Sequence, residues 1–72
     1  MTNPSGYAEQ TEKVTITWMD GTESAYMANS TRVDNGELII YGAVRYPSGE
    51  HEPDQHVPLA NIRIWFKKHA DR

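Results

Sequence analysis

Val14-Thr15-Ile16-Thr17-Trp18-Met19-Asp20-Gly21-Thr22-Glu23-Ser24-Ala25-Tyr26-Met27 carries the first clear structural signal of this chain. From Val14 to Trp18 apolar residues occupy every second position, which is the period of a half-buried strand. The run stops at Asp20-Gly21. Both residues tolerate the positive φ of a type I′ turn, so the pair reads as a two-residue hairpin. That turn sets Trp18 opposite Glu23, Ile16 opposite Ala25 and Val14 opposite Met27, with all six on one face. Thr15, Thr17, Ser24 and Tyr26 then share the other face.

The same period continues downstream. Asp34-Asn35-Gly36 is a second turn signal, followed by the longest apolar segment, Glu37 to Tyr46. Leu38, Ile40, Val44 and Tyr46 alternate there with Ile39, Tyr41, Ala43 and Arg45. Gly42 lies in the middle and reads as a bend, bulge or close backbone approach, where a long strand passes from one sheet to another. Pro47-Ser48-Gly49-Glu50 turns the chain into His51–Pro58, which Pro53 and Pro58 restrict to an edge or broken strand. Leu59 to Lys68 fits two patterns. Leu59, Ile62 and Phe66 have helical spacing, whereas Ile62, Ile64 and Phe66 alternate with Arg63, Trp65 and Lys67. The reading adopted is a single turn at Pro58–Asn61 followed by a strand, with a C-terminal helix as the alternative. The whole describes an all-β fold: a small five-stranded SH3-like barrel with a short helical turn before the last strand, or else an open five-stranded sheet.

Residues 1–12 are polar and aperiodic and read as a flexible N-terminal segment; 13–69 form the single β-barrel domain, and 70–72 a C-terminal tail. Seventy-two residues allow one small domain, and about sixty residues bury only ~60% of their unfolded surface, so stability is marginal unless self-association adds burial. No apolar run approaches the ~20 residues of a membrane span, and the start lacks a secretory pattern, so the expected location is cytoplasmic. The chain has no cysteine, hence no disulfide or thiolate metal site. Its formal net charge of −3 is the wrong sign for a general nucleic-acid binder.

Catalytic signatures are missing. Ser24, Ser30 and Ser48 lack the glycine frame of a nucleophile elbow, and no Gly-rich phosphate loop is present. Asn29-Ser30-Thr31 fits a glycosylation sequon without a secretory context. Glu50 to His56 holds the only cluster of potential ligands. His51, Asp54 and His56 suit a divalent ion by type, but His51 and His56 fall on opposite faces of a strand, and a polar hairpin arm is the simpler reading. No cofactor and no enzymatic activity are expected.

Charge and apolar surface point to binding instead. Residues 59–72 carry Arg63, Lys67, Lys68 and Arg72 against Asp71 alone, a net of +3, while the first 58 residues carry −6. Arg63, Trp65 and Lys67 stand on one face of the last strand. If Ile62, Ile64 and Phe66 fill the core, Trp65 looks outward, and Ile39 and Tyr41 look outward beside Leu38 and Ile40. Trp, Tyr and Arg are enriched in interface hot spots. Trp65, Tyr41 and Ile39 are therefore the expected protein-binding anchors, with Arg63 and Lys67 as rim. Truncation of Trp65 is expected to abolish association with little loss of fold.

Val14-Thr15-Ile16-Thr17-Trp18-Met19-Asp20-Gly21-Thr22, followed downstream by His56-Val57-Pro58-Leu59-Ala60-Asn61-Ile62-Arg63-Ile64-Trp65, resembles a set of short β-rich proteins of actinobacteria and their phages. The resemblance covers most of residues 13–66 and rests on structural motifs. It implies a cytoplasmic accessory protein, in a phage one that inhibits a host enzyme, and carries no catalytic residues. The Pro-Ser-Gly-Glu-His-Glu-Pro stretch departs from the pattern.

The expected function is thus a non-enzymatic interaction module that binds itself, an unidentified protein partner, or both. Two alternatives remain. One is single-stranded nucleic-acid binding through Arg63, Trp65, Lys67 and Lys68. The other is a nucleotide- or small-ligand-sequestering oligomer with its site between subunits. No membrane partner is expected.

Overall fold

The structure is a computed structural model, and it describes residues 11–69. Most of the 1–12 segment and the whole 70–72 tail lie outside the described residues; Glu12 already belongs to the first strand. The fold is all-β. Its strands are β1 (Glu12–Trp18), β2 (Glu23–Ala28), β3 (Ser30–Asp34), β4 (Glu37–Tyr41), β5 (Val44–Arg45), β6 (Gln55–Pro58) and β7 (Ile62–His69), and a 3₁₀ turn (Leu59–Asn61) precedes β7. They form two antiparallel sheets, a four-stranded one in the order β5-β2-β1-β7 and a three-stranded one in the order β3-β4-β6. Seven strand segments in two sheets thus stand where the sequence suggests five strands.

The chain passes between the sheets four times. It crosses at Asn29, between β2 and β3, and returns through Gly42-Ala43, between β4 and β5. The β5–β6 connection crosses again, and the 3₁₀ turn after Pro58 makes the fourth crossing, so the last segment is a turn followed by a strand, as its alternation suggests, and not a helix. Gly42 has φ +63, and a Cβ there would collide with the Asn29 side chain. Two crossings therefore meet at one point. The Gly42 N–H also donates to Asp54 Oδ1 at 2.8 Å, which ties the β5–β6 connection to the bend.

The first hairpin differs from its expected register by one residue. Val14 pairs with Tyr26, Ile16 with Ser24 and Thr17 with Glu23. The loop holds three residues, closed by Trp18 N–H on the Thr22 carbonyl (2.8 Å) and Gly21 N–H on the Trp18 carbonyl (2.9 Å). Gly21 alone in this loop has positive φ, the pattern of a turn followed by a glycine bulge. Asp20 works by accepting hydrogen bonds instead, from the Thr22 N–H (3.0 Å) and hydroxyl (2.7 Å). The type I′ turn lies at Asn35-Gly36, where both residues have positive φ and Asp34 pairs with Glu37.

A one-residue slip moves a whole strand to the other face. Tyr26, expected among the polar residues, is buried in the core with Val14, Ile16, Ala28, Leu38, Ile40, Ala43, Val57 and Ile62. Ala25 and Met27 alternate with it on the opposite face, against the expectation that they share a side with Val14 and Ile16. The Gly42 bend changes phase a second time, so Ala43 joins the core beside Ile40, and Val44 is buried outside that cluster, paired with Met27. Tyr46, expected in line with Leu38 and Ile40, is exposed.

Candidate functional site

The decisive irregularity is in β7. Thr17 pairs with Ile64, yet Trp18 pairs with Ile62, so Arg63 is an extra residue on β7 between two successive β1 positions. A bulge of this kind reverses the alternation beyond it. Ile62 points into the core and is 9% exposed, but Ile64 and Phe66, expected to follow it inward, are 58% and 54% exposed. Trp65 pairs with Ile16 and packs against the core, partly buried. The expectation of an outward Trp65 is therefore reversed, and so is that of an outward Ile39, which is 8% exposed. Tyr41 is only partly exposed, at the end of β4. Trp65, Tyr41 and Ile39 form no common exposed patch.

Two basic residues of β7, Arg63 and Lys67, are held by the chain itself. Lys67 shares the core-facing side with Trp65, and its ammonium reaches the rim, 3.0 Å from Thr31 Oγ1 on β3 and 3.5 Å from Glu12 Oε2 on β1. Its long aliphatic stem makes that possible. Arg63 donates to the Met19 carbonyl at 3.3 Å, pinning the bulge to the first hairpin. Of the four residues in the nucleic-acid alternative, Arg63, Trp65 and Lys67 thus bind within the chain, and Lys68 lies on the opposite side of β7.

The Glu50–His56 arm does not converge on a metal. His51 forms a bridge with Val44, Asp54 accepts from Gly42, and His56 Nδ1 lies 3.1 Å from Glu37 Oε1. Among the described residues no group of three His, Asp or Glu side chains comes together. Arg45 pairs with Glu52 at 3.1 Å and stands over the Tyr26 ring, 5.3 Å from its centroid. The Glu52 hydrogen bond raises the Arg45 guanidinium further above its ordinary value. The arm is a structural brace over Tyr26.

What emerges is the outer face of the four-stranded sheet. Register places three rows across it: Ile64–Thr17–Glu23, then Phe66–Thr15–Ala25, then Lys68–Lys13–Met27. The Lys13 ammonium sits 4.1 Å from the centroid of the Tyr46 ring. Beside it an open recess of about 380 Å³ is floored by Thr15 and Ala25 and walled by Tyr46 and Pro47. The face therefore has an apolar ridge along β7, a small-residue floor, acid at one end and base at the other. Sequence reasoning missed Ile64 and Phe66 because no residue type marks the bulge at Arg63.

Among the described residues no helix is long and apolar enough to cross a membrane. No protein-family model, curated protein or solved structure matches the chain.

Proposed function

We propose that this chain is a non-enzymatic, cytoplasmic interaction module whose working surface is the outer face of the four-stranded sheet. Ile64 and Phe66 are the anchors in place of Trp65, Tyr41 and Ile39, and Lys13, Lys68 and Glu23 form the rim. One observation carries the reading: two large apolar side chains, 58% and 54% exposed, stand on the same side of an edge strand. Exposing Ile64 and Phe66 side by side is unfavourable in water unless a partner covers them. An accessory role of the kind implied by the resemblance to actinobacterial and phage proteins fits a surface without catalytic groups.

The finer fold reading belongs with this proposal. Joined through Asn29 and through Gly42-Ala43, β2–β3 and β4–β5 become two continuous bent strands, and the chain reduces to the five strands of an SH3-like small barrel. The 3₁₀ turn before β7 and the β1–β7 pairing support it.

Light scattering over a concentration series tests the function. Wild-type mass is expected to rise with concentration, or with an added partner, and Phe66→Ser to abolish the rise while remaining folded. An unchanged rise in Phe66→Ser removes this face from consideration.

A further inference from the structure

We propose that Asn35 is a self-modifying site: its side-chain amide cyclises onto the Gly36 nitrogen and leaves an aspartyl or isoaspartyl residue in the β3–β4 turn. The site lies apart from the proposed working face, on the three-stranded sheet. It is the type I′ turn, in which Asn35 has φ 56 and Gly36 φ 78. Both residues are exposed. A Cβ built on Gly36 would meet nothing within 4 Å, so the approach to its nitrogen is open. The ladder closes at Asp34 and Glu37, which leaves the Gly36 N–H outside the closing pair. Hydroxide removes the proton of that N–H, and the nitrogen attacks Cγ of Asn35. An N–C bond forms, the bond to the side-chain nitrogen breaks, and that nitrogen leaves as ammonia with a proton from water. Water then opens the five-membered imide at either carbonyl. One water is consumed and one ammonia released, with no change of oxidation state, and the chain gains one negative charge.

The other asparagines lack this opening. Asn3 precedes Pro4, whose nitrogen has no proton to lose. Asn61 precedes Ile62, whose N–H already donates to the Leu59 carbonyl and whose branched side chain crowds the nitrogen. Asn29 has its side-chain nitrogen beside Gly42, and the Ser30 that follows it is held in register with Tyr41. The turn at Asn35 also sets the pace. The first central residue of a type I′ turn has ψ of about +30°, which points the following nitrogen away from the side chain, so the ring closes only when the turn opens locally.

The two products differ in geometry. An aspartyl residue keeps the backbone and tolerates positive φ. An isoaspartyl residue routes the main chain through Cβ, adds one atom to a two-residue turn and displaces the Gly36 carbonyl. That carbonyl accepts from the Leu59 N–H at 2.9 Å, at the start of the 3₁₀ turn, and the Asn61 carbonyl at its end accepts from the Met19 N–H at 3.0 Å. The isoaspartyl form therefore releases the hold of the β3–β4 hairpin on the crossing into β7.

The test follows the full chain at mildly alkaline pH, folded and in urea, by intact mass and tryptic mapping. Trypsin releases Val33–Arg45, in which Asn35 is the only asparagine. Expected is a gain of one mass unit in that peptide before any other, as aspartyl and isoaspartyl forms, and faster in urea because the turn restrains closure. Asn35→Gly suits both central positions of the turn and is expected to abolish the gain. Hydrogen exchange at the Leu59 N–H, read by NMR, is expected to be about tenfold or more faster in the isoaspartyl form, separated by ion exchange, while Asn35→Asp leaves it within about threefold of the parent. A first gain at another asparagine, no gain in either state, or a gain that persists in Asn35→Gly overturns the proposal. So does a folded chain with no detectable gain once the unfolded one has converted fully. Equal rates in both states overturn the pacing by the turn, and unchanged Leu59 exchange in the isoaspartyl form overturns the link to the crossing.

Discussion

Trp65 and Phe66 are neighbours in sequence, and the bulge at Arg63 assigns them opposite energetic roles. Trp65→Ala removes a side chain packed against Ile16 and the core. A tryptophan buries about 150–250 Å² when covered, and even ~120–150 Å² at ~25 cal/mol/Å² amounts to about 3–4 kcal/mol. Phe66 is already 54% exposed. Phe66→Thr keeps a strand-forming side chain and loses only the covered part of the ring, about 1 kcal/mol. A domain of about sixty residues has roughly 3–9 kcal/mol of stability in total. Trp65→Ala therefore removes about a third or more of the total stability, while Phe66→Thr keeps most of it. Urea titration followed by far-UV circular dichroism, run at a concentration where the chain is monomeric, measures both. A larger loss in Phe66→Thr than in Trp65→Ala would mean that Ile64 and Phe66 face the core and that β7 has no bulge.

Other consequences follow from the crossings and the first hairpin. Gly42→Ala places a β-carbon at φ +63 against Asn29, which costs about 1–2 kcal/mol and lowers the thermal midpoint by about 5–15 °C; Gly42→Ala combined with Asn29→Ala recovers only the steric part, and full recovery would show that backbone strain contributes nothing. Asp54→Ala removes the carboxylate that accepts from Gly42 N–H and is expected to cost about 1 kcal/mol in the same assay, with no effect on association. Asp20 is held below its ordinary carboxylate value of 3.8, first by the Thr22 hydroxyl and then by the Thr22 N–H. Its folded pKa is the depressed one, so its stabilisation is complete above the unfolded value and is lost as pH falls through the folded value. Asp20→Asn should flatten that acid-side decline in a pH series of thermal midpoints, and an unchanged slope would contradict it.

Much of this architecture was legible because specific residues admit few backbone conformations. Asn35-Gly36 both occupy positive φ, Gly42 bends a strand between sheets, and Pro53 interrupts its segment so that β6 begins only at Gln55. The face assignments were less legible, for one physical reason. Asp20-Gly21 suits a two-residue I′ turn and also a three-residue turn with a glycine bulge, and the choice moves Tyr26 from surface to core. The insertion at Arg63 has no residue signature, since any side chain can occupy a bulge that points to solvent. Alternation is reliable only between such irregularities. Trp65, Ile64 and Phe66 lie beyond one of them, so the alternation read from the sequence exchanged the inward and outward sides of β7.

The outer face as a self-association surface is tested most directly by two-dimensional ¹H–¹⁵N NMR of the wild-type chain in a dilution series. The account predicts concentration-dependent amide shifts at Lys13, Thr15, Thr17, Glu23, Ala25, Ile64, Phe66 and Lys68, with β3, β4 and β6 unmoved. Shifts confined to the three-stranded sheet, or spectra that do not change with concentration, would contradict it.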